Sequence, residues 1–185
     1  FAVCELFQNA HDEVGVSRIM LNILRDAGRS ASLSVIDDSP EGFRNMSHAW
    51  TLFAESYKKG TFSQAGRFNL GEKLVLAICS RAEIVTMTGS VRFENDARIL
   101  GRHKRDVGTE FIGTIPNVTN EQLDEAIRIA RSFLFREGVT LIVNGETVAK
   151  RTPLRTVHAK LPTIGAREDG EMYDSMLLSM MKMEC

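Results

Sequence analysis

Short strand-type segments alternate with helix-type segments along most of this chain, and that interleaving leaves few folds open. Residues 1–14 repeat Val3, Leu6, Phe7, Ala10 and Val14 at helical spacing, which predicts a helix with one core face. In SRIMLNIL, Ile19, Leu21 and Ile23 alternate with polar or mixed positions, a strand pattern closed by a turn at Asp26-Ala27-Gly28-Arg29. SLSVID (32–37) is a second strand, ending in an acidic corner that contains a proline. GEKLVLAICS (71–80) reads as a helix entered through glycine, and AEIVTMTG with SVRFEND as a hairpin. GTEFIGTIP (108–116) is a further strand. Residues 117–136 predict an amphipathic helix capped at Thr119 or Asn120, with Leu123, Ala126, Ile127, Ala130, Phe133 and Leu134 on one side. VTLIVNGETV is a strand, a turn at Asn144-Gly145 and the start of another strand. Together these predict an α+β fold, a two-layer α/β sandwich with one mixed sheet and helices on one face.

At 185 residues the chain is long enough for one domain and a short appendage. Lys and Arg total 23 against 24 Asp and Glu, a net charge of −1, so nothing in the balance calls for nucleic acid or an anionic membrane. No run of apolar residues is long enough for a membrane-spanning helix. Cys4, Cys79 and Cys185 have no metal or redox spacing, which suggests reduced thiols in a cytoplasmic protein. The opening FAVCELFQNAHDE reads as the interior of a helix, the expectation for a fragment of a longer protein.

Three clusters are candidates for chemistry. Glu5, Asn9 and Asp12 follow i, i+4, i+7 and share a helix face opposite the apolar stripe. That face is either solvated or lines a pocket. In a pocket, a carboxylate can deprotonate water and an amide oxygen can bind Mg²⁺. The second cluster, Asp37-Asp38-Ser39-Pro40-Glu41-Gly42-Phe43, follows an apolar strand. It is either a surface turn or a place where a part-buried Asp37 accepts a hydrogen bond from an exocyclic amine. The third, Gly66-Arg67-Phe68-Asn69-Leu70-Gly71-Glu72-Lys73, opens a helix. Glycines and free N–H groups there suit phosphate, as does a lysine. It is not a P-loop, because Glu72 separates Gly71 from Lys73 and Leu74 follows.

Taken in order, Glu-x-x-x-Asn-x-x-Asp, strand-Asp-Asp-x-x-x-Gly, Gly-x-Phe-x-x-Gly-x-Lys and a later Gly-Thr resemble the ATP-binding domain of the GHKL superfamily. That superfamily includes gyrase B, the ninety-kilodalton heat-shock chaperones, histidine kinases and MutL. GRFNLGEK looks most like the microrchidia ATPase branch. The resemblance covers residues 1–148 as a Bergerat-type domain, with 149–185 as a C-terminal extension. It implies ATP and Mg²⁺ as ligands, slow hydrolysis of ATP to ADP and phosphate, and a lid at 42–71 that closes over nucleotide. A homodimer formed on nucleotide binding is compatible with it.

The resemblance also implies residue roles. Glu5 matches the general base for the hydrolytic water, and Asn9 the Mg²⁺ ligand. Asp12 would lie near the nucleotide. Asp37 matches the aspartate that binds the adenine amino group, and Thr109 the threonine that shares a water with it. Gly42, Gly66, Phe68, Asn69, Leu70, Gly71 and Lys73 would surround the nucleotide, the glycine loop and Lys73 at its phosphates. The chain departs from the pattern at Ser39 (usually glycine), Glu41 (inserted), Asn69 (often glycine) and Glu13 (usually small). A histidine-kinase-type phosphotransferase and an ATP-gated interaction module without turnover are the alternative readings.

Of the remaining residues, His11, His48, His103 and His158 have no ligand spacing and read as structural or surface groups. Arg102-His103-Lys104-Arg105 reads as a solvated basic loop. Met172, Met176 and Met180 have the spacing of one apolar helix face.

Overall fold

The structure is a computed structural model that describes residues 1–41, 71–95, 97–151, 156–166 and 172–184, with the backbone alone for 71–73, 156–166 and 172–184. It divides into two units, Phe1–Ala149 and Lys150–Cys185.

The first unit is built on an eight-stranded mixed sheet. Its strands are β1 (Arg18–Arg25), β2 (Ala31–Asp37), β3 (Arg81–Val85), β4 (Ser90–Glu94), β5 (Ala97–Gly101), β6 (Glu110–Ile115), β7 (Thr140–Val143) and β8 (Glu146–Thr147). They lie in the order β5-β4-β3-β6-β2-β1-β7-β8. All neighbours are antiparallel except β1 and β7, which run parallel. Register puts Ile19, Leu21 and Ile23 of β1 beside Leu33 and Val35 of β2, and Phe111 of β6 beside Ile84 of β3. These buried positions form one apolar face, as period-two alternation requires. Among the described residues three helices cover it: α1 (Ala2–His11), α2 (Gly71–Ile78) and α3 (Asn120–Ala130). Val3, Leu6, Phe7 and Ala10 of α1, Val75 of α2 and Ala130 of α3 join the same core. The opposite face is more polar, with Asn22 donating to the Ser34 hydroxyl.

The first helix is shorter than the expected 1–14. It ends at His11 with Asp12 as its cap, and Gly15 (φ 77°) turns the chain towards β1. Val14, expected in the apolar stripe, is therefore exposed. The third helix is also shorter than 117–136. Asn117 has positive φ, and Thr119 closes a capping box with Gln122, so the helix begins at Asn120. It ends at Ala130 with Arg131 as cap. Phe133 still reaches the core and stacks on Phe7 at 4.2 Å between ring centroids, whereas Leu134 is exposed.

The predicted Asn144-Gly145 turn is present, with both residues at positive φ. Its asparagine also extends the sheet: Asn144 Oδ1 accepts the Ile23 N–H at 2.7 Å, and Nδ2 donates to the Ile23 carbonyl at 3.1 Å. A side-chain amide thus completes the ladder of β1 past the end of β7.

The second unit contains an antiparallel pair, β9 (Thr156–Ala166) and β10 (Met172–Glu184), with a register shift between Ser175 and Leu178. The methionine run is thus strand, not the expected helix face. Spacing of four fits a strand's period of two as readily as a helical turn, and pairing with β9 decides between them.

Candidate functional site

Asp37 is the last residue of β2 and falls on its inward face, after Ala31, Leu33 and Val35. A carboxylate thus takes the next place in an apolar stripe, 6% exposed. Its Oδ1 accepts the backbone N–H of Ser39 at 2.9 Å and of Thr109 at 3.3 Å. The Asp37 N–H donates to the Thr109 carbonyl at 3.0 Å, tying the end of β2 to the approach to β6. Burial pushes the Asp37 carboxyl up to about 6, and the charges of Glu13 and Asp38 push the same way against the two N–H donors.

The adjacent aspartate has another task. Asp38 Oδ1 accepts the N–H groups of Ser17 and Arg18, both at 2.8 Å, and its Oδ2 accepts the Ser17 hydroxyl at 2.6 Å. Partial burial pulls its pKa upward, but these hydrogen bonds outweigh it and hold the carboxyl below the usual range. Asp38 clasps the entry of β1, and Asp37 faces inward.

Two of the four departures from the expected pattern, Ser39 and Glu13, lie at this corner. Ser39 is fully buried, and its hydroxyl donates to the Val14 carbonyl at 3.1 Å. The serine binds the corner after β2 to the turn after α1. Pro40 lies against Gly15, where a Cβ would come within 3.0 Å of its ring. Glu13 is buried, 8% exposed, and its charge acts on Asp37. The Glu13 carbonyl accepts the Arg136 guanidinium at 2.9 Å.

On α1, Glu5 and Asn9 are half-buried one turn apart. Asp12 is 3% exposed and accepts Gln8 Nε2 at 2.9 Å. The expected polar face is therefore graded, half-buried at Glu5 and Asn9 and buried at Asp12. α1 packs on β2, and the Ser39–Val14 bond joins their C-terminal ends. His11 is structural: its Nε2 accepts the Arg136 N–H at 3.1 Å and its ring stacks on Phe7. Burial holds its pKa below the ordinary value, helped by Arg136 and opposed by Asp12.

Gly42, Gly66, Phe68, Asn69 and Leu70 lie outside the described residues, as do the expected lid and the SHAWTLFAESY patch. Gly71 and Lys73 occupy the first turn of α2, described by backbone alone. Among the described residues no group of three or more His, Cys, Asp or Glu could hold a metal ion. Cys4 and Cys79 are free thiols, and burial pushes Cys79 up to about 11. No described helix is long and apolar enough to cross a membrane.

The sequence assigned no role to Ser17 or Arg136 and marked Glu13 only as a departure from the pattern. The contacts of Ser17 and Arg136 with the corner join residues 21 to 123 positions apart, which local pattern does not show. Glu13 did carry a signal, since an acid stands there in place of a small residue.

The fold is similar to that of a DNA topoisomerase II ATPase domain. The chain is similar to the ATPase and transducer domains of DNA topoisomerase II from Balamuthia mandrillaris, with TM-score 0.54 and 16% identity over 80% of this chain. It spans about half of that structure (48%). The topoisomerase IV ATP-binding domain of Francisella tularensis, solved with a small-molecule inhibitor, matches with TM-score 0.44 and 19% identity over 77% of this chain and 44% of its own. No family model matches this chain, and no curated protein matches it by sequence.

Proposed function

We propose that residues 1–149 bind ATP with Mg²⁺, hydrolyse it slowly, and use closure of the 42–71 segment to switch a larger protein. The observation that carries this reading is Asp37: a buried carboxylate at the end of a core strand, with one oxygen held by two backbone N–H groups. Oδ2 is the oxygen offered to an adenine amino group, and a base lacking that donor leaves a buried acceptor unpaired. Thr109 is fixed against Asp37 through its backbone, and in this reading its hydroxyl shares a water with that carboxylate. The fold shared with the topoisomerase II ATPase domain supports the reading.

In this account Glu5 polarises the attacking water. Asn9 holds the metal, and Asp12 supports the helix end beside the nucleotide. The backbone of 66–71 and Lys73 take the phosphates, with Gly42, Phe68, Asn69 and Leu70 around them. Bound Mg²⁺ supplies charge neutralisation on the phosphates. A homodimer formed on nucleotide binding belongs to the same proposal. Incubation with γ-labelled ATP tests it: free phosphate is the expected product. Label on the protein would point to phosphotransfer, and binding without release would point to an interaction module.

A further inference from the structure

Residues 13–15 join α1 to β1, and each is held by a residue distant in sequence. The Val14 carbonyl accepts the Ser39 hydroxyl at 3.1 Å, and Gly15 lies against the Pro40 ring. Both holds come from the corner after β2. The same corner fixes Asp37, because the Ser39 N–H donates to Asp37 Oδ1 at 2.9 Å. The hold on Glu13 comes from elsewhere: its carbonyl accepts Nη2 of Arg136, in the segment between α3 and β7, at 2.9 Å. The turn is thus braced between that segment and the corner that carries Asp37.

Arg136 is exposed, yet both its backbone and its guanidinium are engaged. Its N–H donates to His11 Nε2 at 3.1 Å, and its guanidinium reaches the Glu13 carbonyl just beyond the end of α1. A cation at that end suits the helix dipole, and a charged donor bonds a carbonyl more strongly than a neutral one. The backbone contact survives replacement of the side chain, so the segment stays on His11 when the guanidinium is removed. What goes is the brace on Glu13, and the displacement passes through Val14 and Ser39 to the Asp37 carboxylate. A hydrogen bond to one amino group weakens steeply as its angle departs from linear. On the reading of Asp37 as the adenine acceptor, on which this inference rests, we propose that Arg136 is a positioning residue of the nucleotide site: its guanidinium fixes the 13–15 turn and, through Ser39, aims Asp37 Oδ2 at the amino group of the base.

The test is calorimetric titration of the 1–185 chain and its variants with MgATP and with the Mg²⁺ complex of purine riboside triphosphate, which is ATP without the 6-amino group. The parent is expected to prefer ATP by about tenfold or more. Arg136→Ala is expected to lose most of that preference, with affinity for the amino-free nucleotide changed by less than about twofold. Arg136→Met, which keeps an unbranched stem without a donor, gives the same loss if alanine disturbs folding, and Arg136→Lys restores the preference. In an Asp37→Asn background Arg136→Ala changes ATP affinity by less than about twofold, because the group through which it acts is already altered. Equal losses for the two nucleotides, a preference kept in full by Arg136→Ala and Arg136→Met, or an undiminished effect in the Asp37→Asn background overturns the proposal and leaves the adenine reading standing. A folded parent that binds both nucleotides alike, or neither, overturns the adenine reading and this proposal with it.

Discussion

Gly108 is pressed against the backbone of Asp37: a methyl group at 108 would overlap the Asp37 carbonyl oxygen, and Gly108 also has φ 71°. Both the space and the backbone angle therefore require glycine. The contact sits one residue before Thr109, whose N–H holds Asp37 Oδ1. Gly108→Ala is expected to destabilise the unit by about 2 kcal/mol or more and to shift the Asp37 carboxylate. A denaturant melt and a nucleotide titration on the same sample check both effects.

Asp37→Asn separates binding from folding. The folded-state pKa of Asp37, about 6, lies above the ordinary value of 3.8. Below about pH 4 the group is protonated in both states. Between about 4 and 6 the folded chain holds a proton that the unfolded chain has lost, so stability falls as pH rises. Above about 6 a buried charge remains, at a cost of up to about 3 kcal/mol. Asparagine keeps the acceptor for Ser39 and Thr109 and carries no charge. The variant is expected to be more stable than the parent at pH 7.5, with a smaller difference at pH 4.5, and to bind ATP about tenfold or more weakly. Urea melts at the two pH values check the stability effect.

ATP affinity is expected to weaken as pH falls through about 6, because protonation of Asp37 removes the acceptor for the base. Glu13→Gln removes one of the charges that raise this pKa and should move the midpoint to lower pH. Calorimetric titrations from pH 5 to 8 on both proteins check it. A midpoint unmoved by Glu13→Gln would show that the Glu13 charge does not contribute to the value.

Glu5→Ala is expected to retain ATP binding and lose hydrolysis, by about 10²- to 10⁴-fold for a lost general base. Single-turnover phosphate release checks this, and an unchanged rate would remove Glu5 from the role.

Much of the sheet was legible because β1 and β2 alternate strictly, and one face of each is buried. Asp37 stood out for the same reason, as an acid in step with the inward positions. Helix ends were less legible: the apolar pattern runs on through Val14 and Leu134, and positive-φ residues and caps decide where helices stop. β5 was missed because an exposed edge strand shows no alternation of burial. The task of Asp38 needed coordinates, since its contacts with Ser17 and Arg18 reach back 21 and 20 positions.

The most direct measurement is calorimetric titration of MgATP into the 1–185 chain and into its Asp37→Asn variant at pH 7.5. The account predicts saturable binding by the parent and at least about tenfold weaker binding by a variant that is folded and no less stable. No heat from the folded parent, or equal affinity in the two proteins, would contradict it.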